Sequence, residues 1–312
     1  MTRGFEGAVL AIHGGAGTIT PDSLEHGRGR LFHAGLDAAL AAGFAVWRSG
    51  GSCVDMVCAA VAVLEDDPSF NAGRGSVLTA EGRVEMDAAL MRGVDRAAGA
   101  VAGVGTVRNP VLAARAVMES SPHVLLAGAG AERFALDNGC AAASADWFRT
   151  DHRVRQWERQ RAVGTVSLSE DNHFGTVGAA ARDRMGALAA ATSTGGMTNK
   201  LPGRIGDAPV IGAGTWSDDA TLALSATGHG EYFLRTGVGH AIHARVELLG
   251  ESVDTAASVV VEGRLKEMGG DGGIVAISAT GRAVWSFNCS GMYRGVVLED
   301  GRRHTAILLE DA

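Results

Sequence analysis

The sequence predicts an α+β fold in which two adjacent sheets are covered by helices, and three observations carry this reading. Short apolar strand candidates lie at both ends of the chain. Pairs of helical stretches follow each strand group, and the order is not the regular βαβ alternation of a nucleotide-binding sheet. The 45 glycines, against only 6 prolines, alternate with Ala, Val, Leu and Ile, which suits closely approaching backbones rather than disorder. At 312 residues and 46% hydrophobic content, the chain can build one large layered core.

Taken in order, AVLAI (8–12) is a buried-strand candidate. Residues 29–48 and 52–65 read as two helices separated by the turn SGGS. NAGRGSVLT (71–79) is a glycine-rich loop entering a strand, and RVEMDAALM (83–91) and AGAVAGVGTV (98–107) are strands. NPVLAARAVMES (109–120) opens a helix at Pro110. HVLLAG (123–128) reads as another buried strand, followed by a helix over 129–138. Residues 141–175 lose periodicity and gain charge, which predicts a flexible linker. VGAAARD (177–183) and GALAAATS (186–193) predict a hairpin across DRMG. TLALSAT (221–227) is a strand, 230–249 and 251–267 are helical, and GGIVAISA, RAVWSFN, GVVLE and HTAILL close the chain as strands.

Composition excludes several function classes. Net charge is −7, and the densest basic run, RVRQWERQR (153–161), is interrupted by Glu158, so it reads as a solvated helical face and not a nucleic-acid footprint. The first apolar run is broken at His13, too short for a signal or membrane segment. Cys53, Cys58, Cys140 and Cys289 form no framework, so a reduced, cytoplasmic setting is the expectation. GVGTVR, GAGAER and GVGHAI lack the third glycine of a dinucleotide loop, and there is no P-loop and no G-x-S-x-G elbow. His240 and His243 lack the glutamate and spacing of a zincin helix and read as core or surface histidines.

What remains is threonine chemistry. In HFGTVGAAARD (173–183), Thr176 follows Gly175 and opens a strand. An internal threonine has no base of its own. A threonine at a free N-terminus carries one, because an α-amine titrates near ~7.7–8.0 and can take the hydroxyl proton. Thr176 therefore acts only if the 175–176 bond is broken. Downstream, ATSTGGMTNKLPGRIGDAP (191–209) places Arg204 three residues before Asp207. A guanidinium binds a carboxylate and a carboxylate binds an ammonium, so the pair matches the zwitterionic end of an amino acid, while an isolated R-x-x-D reads more readily as a surface ion pair. SATGHGEYFLR (225–235) places Thr227 and Gly228 at a strand end, where a hydroxyl and a backbone N–H suit an oxyanion.

These segments resemble the plant-type L-asparaginase/isoaspartyl peptidase family of N-terminal-nucleophile hydrolases. The likeness runs from HGGAG (13–17) through FNAGRGSVLT (70–79), MDAALM (86–91), GTVG, TSTGGMTNKLPGRIGD and TGHGE to FNCSGMYRG (287–295). It implies a four-layer αββα sandwich spanning 1–312 as one domain, cut into an α chain (1–175) and a β chain (176–312). It implies Thr176 as nucleophile, Thr194 beside it, Thr227 and Gly228 as oxyanion hole, and Asn71 steadying the nucleophile. Arg204 and Asp207 would hold the substrate α-carboxylate and α-ammonium, with Gly228 and Gly230 lining the pocket. No cofactor is implied for catalysis. A structural sodium is implied on the main-chain carbonyls of Leu64, Glu65, Asp67, Phe70, Ala72 and Arg74.

The resemblance further implies a small β-aspartyl substrate, no nucleic acid or membrane partner, and a homodimer of αβ units. Two rival readings stand beside it: a hydrolase of the N-glycan–asparagine link, and an amino-acid-binding scaffold that never matures. The sequence departs from the family pattern at Arg92, where an acid is usual, at His229, where Thr is usual, and at Cys289-Ser290, where Thr-Glu is usual.

Overall fold

The computed structural model describes residues 2–163 and 175–309. The strands are β1 (Thr2–Phe5), β2 (Ala8–Gly17), β3 (Met86–Arg92), β4 (Ala98–Val104), β5 (Leu125–Ala127), β6 (Thr176–Arg182), β7 (Leu188–Thr194), β8 (Thr215–Asp218), β9 (Leu222–Gly228), β10 (Gly272–Ser278), β11 (Ala283–Phe287), β12 (Gly291–Leu298) and β13 (Arg303–Leu308). They form two sheets, ordered β1-β11-β10-β9-β8 and β13-β12-β2-β6-β7-β3-β4-β5. The helices are α1 (Arg28–Arg48), α2 (Cys53–Asp66), α3 (Pro110–Ser120), α4 (Gly128–Asp137), α5 (Ala145–Phe148), α6 (Asp151–Val163), α7 (Gly230–Thr236), α8 (Val238–Leu249) and α9 (Val253–Ala257).

Strand parity explains the layering. In β7, Ala189 and Ala191 join α1, α2 and α3 in one core, while Leu188 and Ala190 face the second sheet. In β10, Ile274 and Ala276 pack on Phe233, Ile242 and Val260 outside the small sheet, while Val275 and Ile277 face inward. The result is helix, sheet, sheet, helix: the expected αββα sandwich. Strands buried on both faces lose the apolar–polar alternation of a half-exposed sheet. The inter-sheet layer is built mainly of alanine on the large sheet, including Ala8, Ala11, Ala180 and Ala190, which lets the two sheets approach closely.

The same parity carries the polar residues. Counting by two from Ala190 reaches Thr192 and Thr194; from Ala180 it reaches Gly178 and Thr176; from Ala223 it reaches Ser225 and Thr227. All therefore face the gap between the sheets, apolar at one end and hydroxyl-lined at the other.

Several local expectations are corrected. Residues 145–163 are not linker but α5 and α6. The inward face of α6 is Arg153, Gln156 and Gln160, all buried, with Arg153 Nε donating to the Gly75 carbonyl at 2.6 Å. Apolar periodicity cannot find a helix whose buried face is polar, and the run read as a solvated face contributes that buried arginine. Of the rest of the predicted linker, 141–144 and 175 are irregular chain apart from a bridge at Ala142, and 164–174 lie outside the described residues. HVLLAG is not a buried strand: β5 is the open edge of the large sheet, and Leu125 is 47% exposed. The stretch 230–249 is two helices, because Gly237 sits at φ 61° between them. β1 and β8 were not anticipated; each has only four residues. Residues 71–79 form a short 3-10 turn (Gly73–Gly75) and extended chain rather than a strand. The helix predicted over 251–267 begins as α9 and continues as a π-helical stretch, Ser258–Leu265. The α2 start is a capping box: Ser52 and Asp55 each bond the other's backbone N–H.

Candidate active site

The site lies where β6 and β7 begin and end side by side. Their register pairs Thr176 with Thr194, and the Thr176 hydroxyl donates to Thr194 Oγ1 at 3.1 Å. Thr194 Oγ1 also accepts the Gly196 N–H at 2.9 Å, so two donors converge on it. Thr176 is 7% exposed. It faces a small cleft lined by Gly175, Thr194, Gly196, Met197, Arg204, Gly206, Asp207, Gly228 and Gly230. Seven of the expected positions thus meet around one hollow: Gly175, Thr176, Thr194, Arg204, Asp207, Gly228 and Gly230.

Two expected positions support the cleft without lining it. Asn71 does not bond the nucleophile: its Nδ2 donates to the Gly196 carbonyl at 2.7 Å, and its Oδ1 accepts the Val77 N–H at 2.9 Å. Its carbonyl also accepts the Gly195 N–H, so Asn71 clamps the loop after β7. Thr227 Oγ1 accepts the Ala16 N–H at 3.3 Å, which leaves its own proton for another acceptor.

Arg204 and Asp207 differ in their support. Glu231 takes one edge of the Arg204 guanidinium, with bonds of 2.9 Å from Nε and 2.8 Å from Nη2. The Nη1 side points toward Gly196 and Gly206, into the cleft. A guanidinium has two such edges, so one can hold Glu231 and the other a substrate carboxylate. Burial alone would push the Glu231 carboxyl up, but the Arg204 bonds hold it below its usual value. The signal that could have found Glu231 is its place in TGHGE, opposite an arginine that needs orienting. His229 Nε2 lies 3.3 Å from the same carboxylate.

Asp207 is 4% exposed, and its Oδ2 has no hydrogen-bond partner. Burial raises its carboxyl from 3.8 to about 7, with the nearby Arg204 charge pulling the other way. Asp207 lines the cleft, and a buried carboxyl there is a place for a cationic donor. A Cβ on Gly230 would stand 2.9 Å from Asp207 Oδ1 and 3.0 Å from Arg204 Nη2, so only glycine leaves both groups in place.

In the loop expected to hold sodium, a Cβ on Gly73 would overlap the Glu65 carbonyl, and one on Gly75 would overlap that of Phe70. The glycines keep these two neutral oxygens uncovered, the donor type that suits a hard monovalent cation. The Asp67 and Ala72 carbonyls also accept turn hydrogen bonds from the Phe70 and Gly75 N–H groups. Elsewhere, Asp218, His243 and Glu247 lie together. Arg96 already pairs with both carboxylates there, and His243 is a buried histidine whose Nδ1 lies 2.8 Å from the Thr221 hydroxyl.

Comparison with known proteins decides the lineage. A family profile described as Asparaginase matches residues 6–307. The chain belongs to this asparaginase family. It is similar to the isoaspartyl peptidase of Salmonella typhimurium, 48% identical over 294 residues that cover 92% of this chain and 94% of the relative. It is also similar to that of Escherichia coli, 45% identical over 92% of each chain. The isoaspartyl peptidase/L-asparaginase of Homo sapiens is 39% identical over 97% of each. The fold is thus that of an N-terminal-nucleophile hydrolase, and this member of the asparaginase family is an amide hydrolase. Its departures from the family pattern sit largely off the cleft. Arg92 forms a surface pair with Asp95 at 2.7 Å, and Ser290 accepts the Ile19 N–H at 2.8 Å. Among the described residues no helix is long and apolar enough to cross a membrane.

Proposed function

We propose that the chain cuts itself between Gly175 and Thr176 and then hydrolyses the β-aspartyl amide of isoaspartyl dipeptides and L-asparagine, releasing L-aspartate. The observation that carries this reading is the Thr176–Thr194 hydroxyl pair, 3.1 Å apart, opening onto a cleft walled by Arg204 and Asp207. In self-cleavage, Thr176 Oγ attacks the Gly175 carbonyl, its proton passes to the Thr176 nitrogen, and the resulting ester is hydrolysed. Contact between hydroxyl and carbonyl supplies the rate as effective molarity.

The freed amine is then the base. Thr176 Oγ adds to the side-chain amide carbonyl of the substrate and gives its proton to the amine. Thr227 and Gly228 hold the oxyanion, and the amine passes the proton to the leaving nitrogen. Water enters, the amine takes its proton, and Thr176 Oγ leaves as a hydroxyl. Arg204 and Asp207 fix the α-carboxylate and α-ammonium, so the side-chain carbonyl is presented and the α-carbonyl is not.

A structural sodium on the carbonyls of Leu64, Glu65, Asp67, Phe70, Ala72 and Arg74, a homodimer of αβ units and a cytoplasmic setting belong to the same reading. Intact-mass spectrometry under denaturing conditions, on fresh and aged protein, tests it. Fragments 1–175 and 176–312 are the expected result; a full-length mass that persists would sink it. Turnover of β-aspartyl dipeptides above aspartylglucosamine separates it from a glycan–asparagine hydrolase.

Gly230→Ala tests the zwitterion clamp. Its methyl must displace Asp207 Oδ1 or Arg204 Nη2, so KM is expected to rise by at least about tenfold, the loss of about one charged hydrogen bond. Unchanged KM in steady-state assays would remove these two residues from substrate binding.

A further inference from the structure

We infer that His13 is a positioning residue for the nucleophile: its imidazole holds the Thr176 carbonyl, and Ser225 holds the imidazole. The inference rests on Thr176 as nucleophile and extends that reading to a residue in the neighbouring strand.

The reason lies in the sheet. β2 pairs with β6 from Leu10↔Ala181 to His13↔Gly178 and then stops. Thr176 lies two residues beyond the last pair, so among the described residues the β2 ladder does not reach it. On the other side β7 continues its ladder to Thr194. The nucleophile would therefore sit at a half-paired strand end, which frays. His13 replaces the missing rung: its Nδ1 lies 3.0 Å from the Thr176 carbonyl oxygen. A carbonyl only accepts, so Nδ1 carries the proton and Nε2 is the acceptor.

Ser225 then has a defined part. Its Oγ lies 2.8 Å from His13 Nε2 and must donate there. Having given its one proton, it accepts in its 2.7 Å contact with Thr192 Oγ1. Thr215 Oγ1 lies 2.7 Å from Thr192 in turn, and both are fully buried. The chain of hydroxyls starts beside the Asp207 loop, where Gly214 N–H bonds the Asp207 carbonyl, and ends at Thr176. Contributions from β8, β7, β9 and β2 thus converge on one carbonyl of β6.

Two further observations support the assignment. His13 is fully buried, and burial lowers its pKa to about 3, so the ring stays neutral with a single proton to place. Gly178 lies directly beneath: a Cβ there would overlap Ser225 Oγ and stand 2.6 Å from His13 Nε2. A strand interior spends a glycine here, at a cost in β-propensity, to admit this pair. The same Cβ would stand 2.8 Å from the Ala191 carbonyl, so β7 presses on this position as well.

The test compares His13→Leu, which keeps bulk but has no donor, with His13→Asn, whose amide can donate from nearly the same place as Nδ1. For H13L, appearance of the 176–312 fragment should slow, and kcat of the matured enzyme should fall, by on the order of 10²-fold with KM within about threefold. H13N should recover most of both. In the wild type, 15N NMR should show His13 protonated at Nδ1 only. Should H13L prove insoluble, Ser225→Ala decides: it frees the tautomer and should lower kcat about tenfold at constant KM.

The inference is overturned if H13L matures and turns over as wild type, if H13N is as impaired as H13L, if Nε2 carries the proton, or if S225A keeps full kcat. A wild-type chain that never cleaves defeats the maturation reading instead. A wild type that cleaves, beside an H13L that cleaves equally fast, defeats this inference alone.

Discussion

Replacing Thr176 with alanine is expected to leave a folded, uncut protein with no measurable hydrolysis. Among the described residues the hydroxyl has one bond, to Thr194, so its net contribution to stability is about 0.5–1.5 kcal/mol. The methyl of alanine keeps the strand position buried, and β6 stays paired with β7. Chemistry loses far more. The same oxygen opens the Gly175 carbonyl and attacks the substrate, and without the cut there is no amine base. Removing a nucleophile that acts as one unit with its base costs on the order of 10⁴–10⁶ in kcat. Intact mass and a coupled assay for released L-aspartate check both halves. Thr176→Ser keeps the oxygen and should still cut and turn over. An alanine variant that yields the 176–312 fragment would mean another group cleaves the chain.

Asp207→Asn is expected to separate binding from stability. The carboxyl is buried and raised to about 7 by desolvation, so the folded protein bears the cost of an unpaired charge whenever Asp207 is ionised. A raised carboxyl holds its proton in the folded state while the unfolded chain has released it. Stability from this group is therefore lost as pH climbs from its ordinary 3.8 toward about 7. Asparagine has the same shape and no charge, so D207N should melt at the same temperature as wild type or higher at pH 8.

Substrate binding moves the other way. Only the ionised carboxylate holds an ammonium well, so wild-type KM should fall as pH rises through about 7, and D207N should show a high, flat KM. Loss of a charge-assisted, buried contact is worth about 1.5–3 kcal/mol, roughly 10- to 100-fold in KM. Steady-state kinetics across pH 6–8, with melting curves on the same samples, read both effects. A variant with wild-type KM would take the ammonium elsewhere.

Much of the site was legible because its residues carry chemistry in short, ordered segments. Thr176 alone is a common threonine after glycine, and Arg204 and Asp207 alone are a common ion pair; the order and spacing of the segments that carry them made them legible. Strand parity brings Thr176 beside Thr194, but Arg204 and Asp207 reach the same cleft from the loop between β7 and β8, which no strand period places. Asn71 and Thr227 were legible as positions but not as contacts. What a side chain bonds depends on which loop arrives beside it, and the loop after β7 meets Asn71 from 125 residues away. Glu231, which orients Arg204 across 27 residues, was legible as part of TGHGE but its partner was not, for the same reason.

By itself the sequence determined the class of fold and the order of the main strands and helices, which rest on local pattern: period, caps and turn residues. The nucleophile and clamp were read from the resemblance of ordered segments to a known family. Only the tertiary structure decided that HVLLAG lies at an exposed sheet edge, that 145–163 packs a polar face inward, and that His13 completes the rung opposite Thr176. Edge or centre, buried or solvated, and paired or unpaired are properties of what lies across the gap. Partners separated by 163 residues, as His13 and Thr176 are, meet only once β2 has paired with β6 in the large sheet.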